Sequence, residues 1–153
     1  MDELTLRPAC EADYEFCYHL HREALGEYVD KVWGWRESEQ RERFGQYFDH
    51  LKRQVIVWQA QDVGALELEP RDGELYIAYI ALLPEFQGRG IGTHVIDRVL
   101  ADAFAVGQRV TLRVLRVNER ARRLYESLGF EVTGETPERW YMGAWPTGRS
   151  HVS

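Results

Sequence analysis

The stretch Gln87-Gly88-Arg89-Gly90-Ile91-Gly92 constrains this chain more than any other, because of what flanks it. Before it runs an apolar segment with strand character, Leu75 to Leu82, closed by Leu83-Pro84. After it, Ile91, Val95, Ile96, Val99, Leu100 and Ala103 recur at helical spacing. A glycine-rich turn from a strand into a helix lets the backbone approach a ligand closely. It also aims the free N–H groups of the first helical turn at bound negative charge. Arg89 adds a side-chain cation to the same loop. The pattern is that of a phosphate-binding loop.

Two familiar phosphate loops do not fit. A Walker loop places Lys and then Ser or Thr after its last glycine, whereas Thr93-His94 follows Gly92. A dinucleotide fingerprint wants a third glycine where Thr93 stands. It also wants an acid about twenty residues on, where Arg109-Val110-Thr111-Leu112 is found. The pattern Gln-x-x-Gly-x-Gly after a strand is matched at every fixed position. It resembles the coenzyme A pyrophosphate loop of the GNAT (GCN5-related) N-acetyltransferase superfamily. A second stretch supports the resemblance. The strand-like Val110–Leu115 leads to Asn118, which opens a helical run with Tyr125 seven residues later and Leu128-Gly129-Phe130 at its end. This is similar to the other signature of that superfamily. Specific motifs lie within residues 75–130, and the general pattern extends over the whole chain.

The resemblance implies an α/β fold built on a mixed, mostly antiparallel sheet with one splayed parallel strand pair and helices on both faces. The order of predicted elements, βααβββαβαββ, agrees with it. Leu4–Pro8 forms the first strand, Glu11 to Val29 a helix, and Trp33-Gly34-Trp35 a break. Glu37 to His50 is predicted as a second helix with Phe44, Tyr47, Phe48 and Leu51 on one face. Two strands, Gln54–Ala60 and Val63–Glu69, are expected around a tight turn at Gln61-Asp62, with a further turn signal at Arg71-Asp72-Gly73. Glu131–Thr133 and Arg139–Met142 close the sheet, and the polar residues from Pro146 to Ser153 read as a frayed end.

At 153 residues the expectation is a single domain, 1–153. The acidic Met1-Asp2-Glu3 start and the lack of a long apolar run predict a cytoplasmic protein with no membrane partner. A formal charge of −6 argues against nucleic acid as a partner. Cys10 and Cys17, seven apart on a predicted helix, are read as free thiols, and the histidines show no metal-ligand spacing. No metal is expected.

What the resemblance assigns to individual residues follows from the motifs. Acetyl-CoA (coenzyme A) is the cosubstrate. Its pyrophosphate falls to the backbone of Gln87, Gly88, Arg89, Gly90, Ile91, Gly92 and Thr93, and its pantetheine arm to the strand edge at Ile80, Ala81 and Leu82. Asn118 caps its helix and, by the resemblance, also meets the pantetheine or acceptor. Tyr125 is implied as the general acid for the departing thiolate, against a plain core role for an aromatic on that helical face. Relatives place a base carboxylate where this chain has Tyr76, or where it has Arg113, so no base is named; Glu67, Glu69 and Glu74 are nearby solvated alternatives. Trp33 and Trp35 are candidate acceptor contacts or anchors for the helix pair, with Glu27, Asp30 and Glu37 available to an ammonium. The implied activity is acyl transfer from acetyl-CoA to a small-molecule or peptide amine by direct attack in a ternary complex. A non-catalytic acyl-CoA sensor is the alternative. Homodimers are common in the family, and no residue here demands one.

Overall fold

The computed structural model describes residues 3–146. The predicted closing tail therefore lies outside the described residues, apart from Pro146. Seven strands hydrogen-bond in the order β1-β2-β3-β4-β5-β7-β6. They are β1 (Leu4–Pro8), β2 (Arg53–Trp58), β3 (Gln61–Arg71), β4 (Glu74–Leu82), β5 (Arg109–Leu115), β6 (Glu131–Glu135) and β7 (Arg139–Ala144). Among the described residues four α-helices accompany them: α1 (Tyr14–Trp33), α2 (Glu37–Tyr47), α3 (Ile91–Ala105) and α4 (Glu119–Ser127). The chain order is the predicted βααβββαβαββ. Strands β4 and β5 pair in parallel, and their ladder runs from Glu74↔Arg109 to Ile77↔Leu112.

The chain forms two compact units. The first holds the residues up to Glu67 together with Tyr79–Ile91. Here β1 pairs antiparallel with β2 and β2 with β3. Leu20 of α1, Ala65 of β3 and Ala81 of β4 form a buried cluster, with Phe16, Ala24, Tyr79 and Leu83 packed against it. Arg7 grips Asp13 with both terminal nitrogens, at 2.9 and 2.8 Å, and Asp13 also accepts from the Cys10 backbone N–H at 2.8 Å. That clamp fixes the short 3₁₀ turn, Glu11–Asp13, that leads into α1. Arg7 is the main cause that holds the Asp13 carboxyl down at about 2.

Several boundaries differ from expectation: α1 starts at Tyr14 and runs on to Trp33, and two further differences have a clear local cause. The β2–β3 turn sits at Gln59-Ala60, with φ of 50° and 64°, and not at Gln61-Asp62. Two left-handed residues between Trp58 and Gln61 give the two-residue hairpin that matches strand twist. Helix α2 stops at Tyr47 because Phe48 is extended (φ −67°, ψ 124°). The predicted apolar face is thereby split. Phe44 and Phe48 pack edge-on against Tyr14, whereas Tyr47 and Leu51 point to solvent, 71% and 84% exposed.

The second unit comprises Leu68–Ala78 and the chain from Gly92 onward. Here β5 pairs with β7 and β7 with β6, both antiparallel. Alternation along β5 buries Val110, Leu112 and Val114. Val95, Ile96, Val99, Leu100 and Ala103 supply the buried stripe of α3 at the predicted spacing. Both cysteines are free, Cys10 exposed and Cys17 buried. Burial pushes the Cys17 thiol up despite the opposing influence of Arg53. Among the described residues no helix is long and apolar enough to cross a membrane, and no group of three metal-type ligands assembles.

Candidate functional site

In the first unit, β4 ends at Leu82 and a 3₁₀ turn, Pro84–Phe86, leads into the glycine loop. Gln87 ties the two together: its side-chain amide donates to the Leu82 carbonyl at 3.0 Å. Gly88 and Gly90 then adopt φ of 74° and 83°, a region that only glycine enters without penalty. Ile91 opens α3 and is fully buried, which anchors the helix start. No acidic residue occupies the first turn of α3, so no carboxylate there competes for its N–H groups. The Arg89 guanidinium lies 5.3 Å from the Phe86 ring and 5.8 Å from the Trp58 ring, a cation held over an aromatic pad.

Beside this loop, β3 approaches β4 without room for a side chain. Leu83 donates its N–H to the Val63 carbonyl at 2.9 Å. At the next residue, a Cβ on Gly64 would collide with the Ala81 carbonyl oxygen and stand 2.8 Å from a Leu82 methyl. Glycine at 64 is therefore what lets the backbone of Ala81 and Leu82 lie where it does.

The second unit carries the other motif. Asn118 caps α4, its Oδ1 accepting from the Ala121 N–H at 3.1 Å. Tyr125 is buried, 8% exposed, with its ring edge-on to Phe130 at 5.7 Å. Burial pushes its phenol up to about 12, so it stays protonated at any working pH.

The two positions without a base carboxylate prove to be neighbours. Arg113 Nε donates to Tyr76 Oη at 2.7 Å. The three alternative carboxylates are all engaged. Glu67 pairs with Arg53 at 3.5 Å and Glu69 with Arg71 at 3.2 Å. Glu74 accepts from Arg109 at 3.0 and 2.7 Å and from the Thr111 hydroxyl at 2.7 Å. Burial alone would raise Glu74, but the bonds from Thr111 and Arg109 outweigh it and the acid is held down.

The junction of α1 and α2 separates the two tryptophans. Trp35 is locked: its backbone N–H donates to Asp30 Oδ1 at 2.8 Å, and its indole Nε1 donates to Glu37 at 3.1 Å. Glu37 also receives the Tyr18 hydroxyl at 2.9 Å. Asp30 and Glu37 are thus spent on fixing the turn. Trp33, at the end of α1, remains 53% exposed.

A feature that sequence reading missed lies under α1. Arg53, 9% exposed, stacks 4.1 Å from the Tyr79 ring, and His21 lies 6.2 Å from the same ring. Burial, reinforced by Arg53, pushes His21 down. Only the apolar neighbours of these residues carry a periodic signal, so nothing in the sequence marks the cluster.

These elements stand in the order and spacing of a known family, and residues 14–130 match the GNAT acetyltransferase family as a whole. The chain belongs to the GNAT family. Among its GNAT relatives, the 5-NmdU N-acetyltransferase of Pseudomonas phage PaMx11 is 36% identical over 66 residues, 43% of this chain and 46% of the phage protein. An uncharacterized N-acetyltransferase of Mycobacterium tuberculosis is 31% identical over 96 residues, 60% of this chain and 62% of that protein. The matched segments thus span less than two thirds of either relative. In fold, the chain is similar to the PaiA N-acetyltransferase of Thermoplasma acidophilum, solved in complex with coenzyme A. The TM-score is 0.77 at 16% identity, over 93% of this chain and 98% of that one.

Proposed function

We propose that this GNAT protein transfers the acetyl group of acetyl-CoA to a primary amine by direct attack within a ternary complex. The observation that carries the reading is the loop from Gln87 into α3, with left-handed Gly88 and Gly90 and an acid-free first turn. Such a backbone fits a pyrophosphate: close approach, donors pointing outward, and a cation in the loop. In this reading Gln87 to Thr93 hold the pyrophosphate, and the Ile80-Ala81-Leu82 backbone receives the pantetheine arm as an added strand. The coenzyme supplies an acetyl group already activated as a thioester.

The chain's own residues define the rest. Tyr125 is the proton donor toward the sulfur. With the phenol near 12 and a thiol near 8.5, free transfer would be uphill by about 3.5 pK units, on the order of 5 kcal/mol. Tyr125 therefore acts by hydrogen bonding as the carbon–sulfur bond breaks, not by ionising beforehand. Each nearby carboxylate is already paired, so the amine loses its proton to water. Neither cysteine is suited to an acyl-enzyme route: Cys17 is buried with its thiol pushed up, and Cys10 lies outside the motifs.

Thiol release from acetyl-CoA, followed across amino acids, polyamines and short peptides, tests this. Turnover with any class supports the transferase. Tight coenzyme A binding with a silent panel would favour a non-catalytic sensor, which the Tyr76–Arg113 pair in place of a base makes a specific rival.

A further inference from the structure

One open face of the second unit holds a groove of about 450 Å³, within the range of small-molecule sites. Its lining comes from β3 to β7: Arg71, Glu74, Tyr76, Thr111, Arg113 and Tyr141 are among it. The strand register explains why they converge. Tyr76 stands opposite Thr111 across the parallel pair, and Arg113 opposite Tyr141 across the antiparallel one. Gly134 sits against the ring of Tyr141, where a Cβ would come within 3.3 Å of it. The bare backbone there gives the ring its seat.

The charges of the groove are unevenly satisfied. Glu74 is hydrogen-bonded to Arg109 and Thr111 and also feels the charge of Arg71, whereas Arg113 is not among the groups that act on it. Arg71 lies 3.8 Å over the Tyr76 ring and meets Glu69 only through Nε. Arg113 spends Nε on the Tyr76 hydroxyl, which orients the guanidinium, and among the described residues its terminal nitrogens make no hydrogen bond. No carboxylate pairs with Arg113 among the described residues. On a chain of net charge −6, a preoriented and unpaired guanidinium in a concavity runs against the general field. Two tyrosine rings give the groove an apolar side, and Thr111 and Thr133 border it.

We propose that this groove binds a small organic acid, with its carboxylate or phosphate on the terminal nitrogens of Arg113 and Arg71 and its apolar body against Tyr76 and Tyr141. The planar guanidinium edge matches both oxyanions, and the aromatic floor favours a ligand with a ring or a branched side chain. This site stands on the groove alone and does not require the acetyl-transfer reading to hold.

The test is calorimetric titration of the whole protein, without acetyl-CoA, using three probes: N-acetylphenylalanine, phenyl phosphate and the neutral N-acetylphenylalaninamide. At least one of the two acids should bind, and comparison of the two names the preferred oxyanion. The amide should not bind. Arg113→Gln should weaken the acid by about 10- to 100-fold, the loss of a charge-assisted hydrogen bond pair. Arg71→Gln should weaken it less, and Arg43→Gln on α2 should change nothing. Both groove variants remove long charged side chains from an open face, and unchanged melting curves would confirm that they fold. Equal binding of amide and acid, an Arg113→Gln protein that titrates like wild type, or no binding of either acid would overturn the proposal.

Discussion

Gly64→Ala probes the link between the fold and the proposed pantetheine strand most directly. The new methyl would lie 2.8 Å from Leu82 Cδ2 and 3.3 Å from the Ala81 carbonyl carbon, and closer still to the Ala81 oxygen. Relaxed carbon contacts lie at about 3.5–4.0 Å, so the Leu82 methyl must retreat by roughly 0.7–1.2 Å. A side-chain end can do that by changing rotamer. The Ala81 carbonyl cannot, because it belongs to a strand, and β3 and β4 must part there. Crowding of this kind costs about 1–3 kcal/mol. At about 2–4 °C per kcal/mol for a chain of this size, the melting temperature should fall by roughly 2–12 °C.

The same parting displaces the backbone of Ala81 and Leu82, and a displacement of about 1 Å in a positioning element can cost on the order of 100-fold. Coenzyme A titration of folded Gly64→Ala, well below its melting point, should therefore show affinity at least about tenfold weaker than wild type. Gly45→Ala is the control. Its methyl would meet only the Tyr14 hydroxyl, at 3.2 Å, and α2 gains a better helix former. If Gly64→Ala melts early yet binds coenzyme A normally, the Ala81–Leu82 backbone does not receive the cofactor arm. If neither property changes, the crowding at Gly64 has been misjudged.

Tyr125→Phe should lower kcat by about 10²- to 10⁴-fold with coenzyme A affinity unchanged; equal turnover would remove Tyr125 from the chemistry. Because burial holds this phenol near 12, the wild-type rate should show no alkaline loss centred at pH 10, and such a limb would contradict a buried donor. Asp13 is held at about 2 against an ordinary 3.8, so its clamp contributes stability that is complete above about pH 4 and disappears as pH falls toward 2. Asp13→Asn should cost about 2 kcal/mol in urea unfolding at pH 7 and almost nothing at pH 2, and a gap that ignores pH would refute the ion-pair origin. Trp33→Ala should raise KM for the amine and leave coenzyme A binding intact; unaltered amine kinetics would take Trp33 out of the acceptor site.

How much of this was legible in the sequence depended on whether the cause was local. The loop was readable because glycine's left-handed freedom and an apolar helix stripe are both written within a few residues. The order of strands and helices followed for the same reason. The β2–β3 turn was misplaced because Gln59 and Ala60 carry none of the usual hairpin chemistry; pairing of the flanking strands forces them to positive φ. The end of α2 was overrun because Phe44 and Phe48 continue the helical spacing although the backbone has already turned extended at Phe48. At the α1–α2 junction the sequence offered two equivalent tryptophans. The structure distinguishes them through Asp30 and Glu37, which hold Trp35 and leave Trp33 half exposed.

The contacts furthest from legibility are those whose partners are distant in sequence, and they decide the chemistry of both units. Tyr76 and Arg113 each look like an unexplained substitution until the parallel register sets their strands side by side and one bonds the other. Arg53 looks like a polar strand start, yet it is nearly sealed against Tyr79 and Glu67. Its Nε and Nη1, the Tyr79 hydroxyl and His21 Nδ1 are all buried with no hydrogen-bond partner among the described residues. A charge in that position is stabilised by Glu67 on β3, fourteen residues away, and loss of that carboxylate would remove its ion-pair partner. The polar layer beneath α1 thus depends on an ion pair between neighbouring strands, and that dependence is why the helix cannot be read independently of the sheet it covers.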